Sequence, residues 1–172
     1  MRTIGLFICV MICMAVFSGC QYKVAFDQEQ AVEIDASLLG IWKYVPKDND
    51  GDEVTMLIYE GNDREYTIAY LEDKDAMVFR GYLVDVKGVK ILNMQWLNRP
   101  KNDEPEYIFY RYTIKDSKLY VQPMNTDVIA TEIDSQEDFI RRVIENIKNP
   151  LLFNAPENEH EHFVRIKSFE DI

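Results

Sequence analysis

Thiols, imidazoles and clustered carboxylates are the side chains with which this chain could do chemistry. The 172-residue sequence has three cysteines and two histidines. Cys9 and Cys13 lie inside an apolar N-terminal run, and Cys20 directly follows Ser18 and Gly19. Small residues of that kind are what a peptidase requires just before its cut. His160 and His162 flank Glu161, with Glu157 and Glu159 upstream. Residues two apart on one side of a strand can share a metal, but structural zinc takes four ligands at more orderly spacing. The segment therefore reads as an acidic loop entering a strand, and no metal is expected. Residues 47–53, KDNDGDE, invite a calcium reading. Placing Gly51 at the sixth position of a calcium loop puts Pro46 first and Leu57 twelfth, where carboxylates are needed, so this is a solvated hairpin loop. There is no Gly-x-Ser-x-Gly turn and no glycine-rich phosphate loop. No catalytic residue and no cofactor are expected, and the chain reads as a non-enzyme.

Arg2 is the only charge before residues 4–17, an uncharged stretch rich in Ile, Val, Met, Phe and Cys. A positive region and then an apolar region make an export signal, and the run is shorter than the roughly 20 residues of a spanning helix. Phe17-Ser18-Gly19-Cys20 resembles the lipobox of bacterial lipoproteins, which usually has Leu where Phe17 stands. The resemblance covers the first twenty residues. It implies cleavage between Gly19 and Cys20 and acylation of Cys20, with chains such as palmitate. It also implies that the membrane is a partner through this anchor. Gln21 after the cysteine implies the outer membrane in a host with two membranes. Each buried methylene of an acyl chain contributes about 0.8 kcal/mol, so a multiply acylated Cys20 would hold the domain at a membrane surface. The mature part then keeps no thiol and no disulfide framework.

The charge balance agrees with a lipid anchor rather than a basic patch. The sequence carries 19 Lys and Arg against 30 Asp and Glu, a net −11. Such a chain repels phosphate backbones and anionic headgroups, so nucleic acid is not expected as a partner.

The elements that must position any site are strands. Ten Tyr, nine Phe and two Trp with many Val and Ile favour them. Apolar runs at 38–45, 54–59, 65–71, 77–86, 89–97, 106–114 and 118–124 are joined by short turns such as Gly61-Asn62-Asp63, Lys87-Gly88 and Asp116-Ser117. A short run at 128–133 is read as an eighth strand. This is the pattern of consecutive antiparallel hairpins, with no room for parallel crossovers. Ser135 caps one helix, whose Phe139, Ile140, Val143, Ile144 and Ile147 form a single apolar stripe, and Asn149-Pro150 ends it. Residues 162–167 make a short closing strand. Several strands are apolar on both faces, which suits a barrel with its exterior partly covered. Gly81, mid-strand, suits a bend or bulge at a barrel corner. The expected domains are a signal peptide over 1–19, the lipidated cysteine and a tether over 20–36, and a barrel over 37–172. Part of the tether, 22–26, has the alternative of pairing as an edge strand.

Gly40-Ile41-Trp42 at the start of the first strand resembles the opening motif of the lipocalin family, and the strand meander followed by a helix is similar to that family's layout. In the family a late arginine covers the tryptophan, and Arg165 is the matching residue here. A Thr-Asp-Tyr-like middle motif has no counterpart, so the resemblance implies architecture and not a ligand. The expected fold is mainly β, an antiparallel, up-and-down, lipocalin-like barrel of about eight strands with one C-terminal amphipathic helix. Gly40, Trp42 and Arg165 are the closure residues.

Arg80 and Arg111 lie mid-strand among aromatics. Pointing inward, they would meet an anionic group in a cavity; pointing outward, they would pack their stems on neighbouring rings. Trp96, Tyr110 and Tyr112 are either ligand contacts or core. Two functions follow: a binding module holding a small apolar or amphipathic ligand, or a filled barrel that serves an envelope protein as an interaction surface.

Overall fold

The computed structural model describes residues 21–45, 54–72, 75–98, 106–153 and 162–167. The lipobox segment, the loop at 47–53, Glu157, Glu159, His160 and Glu161 lie outside the described residues. The strands are β1 (Gly40–Val45), β2 (Val54–Asn62), β3 (Glu65–Glu72), β4 (Asp75–Val86), β5 (Val89–Trp96), β6 (Tyr107–Lys115), β7 (Lys118–Pro123) and β8 (His162–Lys167). They form one closed barrel in chain order, every neighbour antiparallel, with β8 pairing both β7 and β1. The architecture is that of a lipocalin-like, up-and-down barrel. Among the described residues one α-helix, α1 (Gln136–Asn146), is inserted before the last strand.

Side chains alternate between two cores. Trp42, Met56, Ile58, Tyr66, Ile68, Phe79, Leu83, Leu92, Met94, Ile108, Leu119 and Phe163 fill the inside. Tyr82, Val84, Ile91 and Phe109 point out and are roofed by α1, by residues 124–153 and by the N-terminal segment. Strands apolar on both faces require this arrangement, since an uncovered outer face would leave Phe109 in water.

Four expectations need correction. Residues 128–133 are not a strand. Asn125 accepts the backbone N–H groups of Val128 and Ile129 on its carbonyl and that of Asp127 on its side chain, which curls the chain into a turn. Ile129 and Ile133 are buried in the outer core instead. The eighth strand is therefore 162–167, and the helix precedes it rather than following the full meander.

Residues 21–36 are a strap and not a tether. Tyr22, Val24, Phe26 and Ala31 are buried against the outer wall. Tyr22 exchanges both backbone hydrogen bonds with Tyr107, each 2.9 Å, and its hydroxyl donates to the Ile129 carbonyl at 2.7 Å. Its ring and that of Phe26 meet Phe109 and Phe139 at 5.1–5.6 Å.

Gly81 marks no bulge, because β4 stays in register with β3 and β5 across it. A Cβ there would stand 3.1 Å from Ile68 Cδ1, so glycine makes room for a core side chain. In α1, Phe139 and Val143 are buried and Ile140 and Ile147 partly so, but Ile144 is exposed. The buried stripe is narrower than five residues because the helix touches the barrel along one line.

Candidate functional site

The two ends of the barrel differ in kind. At one end the hairpins β2–β3, β4–β5 and β6–β7 close in two-residue turns at 63–64, 87–88 and 116–117. Lys87, Gly88, Asp116 and Ser117 take the positive φ values that such turns need. We call this the turn end. At the opposite, loop end lie the longer connections β1–β2, β5–β6 and β7–β8.

The strap plugs the turn end from below. It curls through a short 3-10 turn (Ala36–Leu38) whose Leu38 is buried under Trp42, and the indole Nε1 donates to the Leu38 carbonyl at 2.8 Å. Gly40 then starts β1 with φ of +141°, a backbone open to glycine. The guanidinium carbon of Arg165 lies 4.5 Å from the Trp42 ring centroid, and its Nη2 donates to the Ser37 carbonyl. A register shift places Ile41 opposite Lys167 but Trp42 opposite Arg165. The extra residue, Ile166, is 56% exposed, and the bulge aims Arg165 at the ring. First and last strands are fastened at this contact.

A polar latch completes the plug. Asp35 accepts from the Tyr112 hydroxyl at 2.8 Å, the Ser37 hydroxyl at 2.5 Å and the Ser37 N–H at 3.0 Å, with Lys90 Nζ 3.6 Å away. Its own N–H donates to the Tyr66 hydroxyl at 2.5 Å. Burial alone would raise the Asp35 pKa. The hydrogen bonds from Ser37 and Tyr112, helped by Lys90, outweigh it and hold the carboxyl below the ordinary value. Burial pushes Tyr66 up to about 12, and burial with the Asp35 carboxylate beside it raises Tyr112 as well. Both phenols stay protonated at neutral pH, so Tyr112 donates to the ionised Asp35 carboxylate.

Toward the loop end the inner face changes character. Tyr44, Tyr70, Met77 and Trp96 are half-buried. Register makes them one continuous arc, with Tyr70 beside Met56 and Met77, and Phe79 beside Trp96. The Phe79 and Trp96 rings are 5.9 Å apart. Asn98 stitches the rim, accepting from Trp96 Nε1 and the Val78 N–H at 2.8 Å each and donating to the Ala76 carbonyl at 2.6 Å. Tyr110 and Val121 are half-buried on the same inner surface. The arc lies on the inner wall, packed against the inner core. Its apolar surface carries the phenol groups of Tyr44 and Tyr70 and the Trp96 indole.

Of the expected ligand contacts, Trp96 belongs to this arc and Tyr110 faces the same interior. Tyr112 faces in but is committed to Asp35. Arg80 and Arg111 take the outward of the two alternatives, because they alternate with inward Phe79 and Tyr110. Arg111 donates to Gln122 Oε1 at 2.8 Å and lies over the Phe153 ring at 5.4 Å. Arg80 donates to Gln95 Oε1 at 2.9 Å and lines an open outer cleft of about 380 Å³ between strap and helix, with Asp27, Tyr107 and Asp134. Neither arginine can meet an anionic group inside the barrel.

The latch was not foreseen, since nothing in local pattern joins Asp35 to Tyr66 and Tyr112. The strap did carry a signal, the period-2 spacing of Tyr22, Val24 and Phe26, masked by the acidic residues around it. Among the described residues no group of three metal-ligating side chains converges, and no helix is long and apolar enough to cross a membrane. No protein-family profile matches the chain, and no curated protein or solved structure matches it.

Proposed function

We propose that the chain is an acylated lipoprotein of a bacterial cell envelope whose barrel holds a small apolar or amphipathic ligand at its loop end, without enzymatic activity. The observation that supports ligand binding is the half-buried arc of Tyr44, Tyr70, Met77 and Trp96 on the inner surface of a closed barrel. Half-buried apolar side chains on an inner wall gain when more of their surface leaves water, and an acyl or aryl group can supply that contact. With Arg80 and Arg111 outside, the ligand is recognised by its hydrocarbon and not by a buried anionic head. The signal ending at Ser18-Gly19-Cys20 supports the anchor, and Gln21 supports the outer membrane where the host has two.

A fluorescent fatty-acyl probe titrated into the purified protein tests the ligand. Tyr70→Asp, which puts a charge in the arc, should weaken binding about tenfold or more. Equal affinity for parent and variant, or no binding at all, overturns this reading. The second reading, a filled barrel serving as an interaction module for an envelope protein, draws on the complete burial of Leu38, Trp42, Tyr66, Ile68 and Leu83 at the turn end. Loss of probe binding with retained capture of a protein partner would favour it.

A further inference from the structure

The strap leaves almost no chain between the acylation residue and the folded barrel. Tyr22 is fully buried and hydrogen-bonded in both directions to Tyr107, the first residue of β6 at the loop end. Cys20 is two residues earlier, and two trans peptide steps reach at most about 7.6 Å. A lipid on Cys20 therefore holds the loop end, and no other part of the barrel, at the bilayer. The turn end is far out of that reach: β4, which runs from one end to the other, has twelve residues and rises about 3.3 Å per residue.

The rim near the anchor is suited to this contact. Leu97, 52% exposed, follows Trp96 and bonds its N–H to the Val78 carbonyl. Leu151, 65% exposed, sits just before Leu152, whose carbonyl accepts from Asn125 beyond β7. Both are large apolar side chains left in water at the loop end. The chain carries 30 Asp and Glu against 19 Lys and Arg, which opposes an anionic lipid surface and makes a zwitterionic one the favoured partner.

We propose that the loop end of the barrel is held against the lipid surface of its own anchoring membrane, so that the Tyr44–Tyr70–Met77–Trp96 arc opens toward the bilayer and takes an acyl chain from it. This rests on the lipoprotein reading above. The barrel then exchanges lipid across a few ångströms rather than across an aqueous gap.

The two tryptophans are built-in reporters, Trp96 at the loop end and Trp42 buried at the turn end. The acylated full chain is reconstituted into phosphatidylcholine vesicles carrying brominated acyl chains, and tryptophan emission is compared with that in unbrominated vesicles. The parent should lose emission, and Trp96→Phe should abolish that loss. A Gly/Ser insert of about ten residues after Cys20, with a root-mean-square span of about 17 Å, should also abolish it while the protein stays vesicle-bound. Quenching that persists in Trp96→Phe, or a vesicle-bound parent that is not quenched, overturns the orientation while leaving the lipoprotein reading intact. A parent that does not float with vesicles and carries no acyl mass overturns both.

Discussion

The turn end and the loop end are made from the same eight strands, yet they invest their side chains differently. At the turn end the inward groups are committed: Trp42 between Leu38 and Arg165, and Asp35 between Tyr66, Tyr112, Ser37 and Lys90. At the loop end Tyr44, Tyr70, Met77 and Trp96 keep part of their surface accessible. The contrast separates side chains that hold the barrel shut from side chains that keep accessible surface. A stable floor lets the other end remain incompletely covered without endangering the fold.

The comparison breaks first at the tryptophans. Trp42→Ala should cost about 3–5 kcal/mol, as large-to-small changes at fully buried aromatic sites do. Trp96→Ala should cost less than half of that, because its ring is already part-exposed. Urea unfolding of the two variants decides it, and equal losses would erase the distinction between the ends.

The next largest effect belongs to the latch. Asp35→Asn weakens hydrogen bonds to a charged acceptor and should cost about 1.5–3 kcal/mol at neutral pH. Because the folded carboxyl is held below its ordinary value, the stability it contributes is present above the unfolded pKa, near 4. It is lost as the pH falls through the folded value. Thermal melts should therefore show the gap between parent and variant narrowing below about pH 4; a gap that is constant with pH would remove the ionised latch from the account.

Arg165→Gln sharpens the comparison further. It removes the cation over the Trp42 ring, a contact worth about 0.5–2 kcal/mol, and should leave acyl-probe affinity unchanged. A loss of probe binding without loss of stability would place Arg165 in the ligand site instead. Smallest of all is Ile144→Ala on the outer helix, near the turn end, where Lys87 Nζ reaches the Ile144 carbonyl at 3.4 Å. Ile144 is 36% exposed, so melting should move by no more than about 0.5 kcal/mol equivalent. A larger effect would mean that the outer shell, and not the plug, holds the turn end.

What the sequence disclosed follows the range of the forces involved. Hairpins are local, so Lys87-Gly88 and Asp116-Ser117 announced their strands, and the strand order follows from short connections. The Trp42–Arg165 contact was reached through resemblance, since no local pattern joins residues so far apart. Residues 128–133 have strand-like composition, but the Asn125 side chain and carbonyl offered the backbone closer partners. Arg80 and Arg111 were undecidable because their strands are apolar on both faces, and alternation then fixes which residues share a face but not which face is inside. The strap was obscured for the opposite reason: its partners, Phe109 and Phe139, are distant in sequence, and only their rings make its alternating apolar residues worth burying.

The late position of β8 sets the timetable of folding. Arg165 reaches back to the Ser37 carbonyl, 128 residues earlier, and among the described residues β7 and β8 pair at Lys118 with Val164 and Leu119 with Phe163. Until β8 emerges, a growing chain has seven strands and two bare edges, β1 and β7. Such edges accept any strand of the right length, including one from a neighbouring copy. Closure between the far ends of the chain is also the kind of contact that forms slowly. Deletion of β8 should thus yield chains that pair with one another.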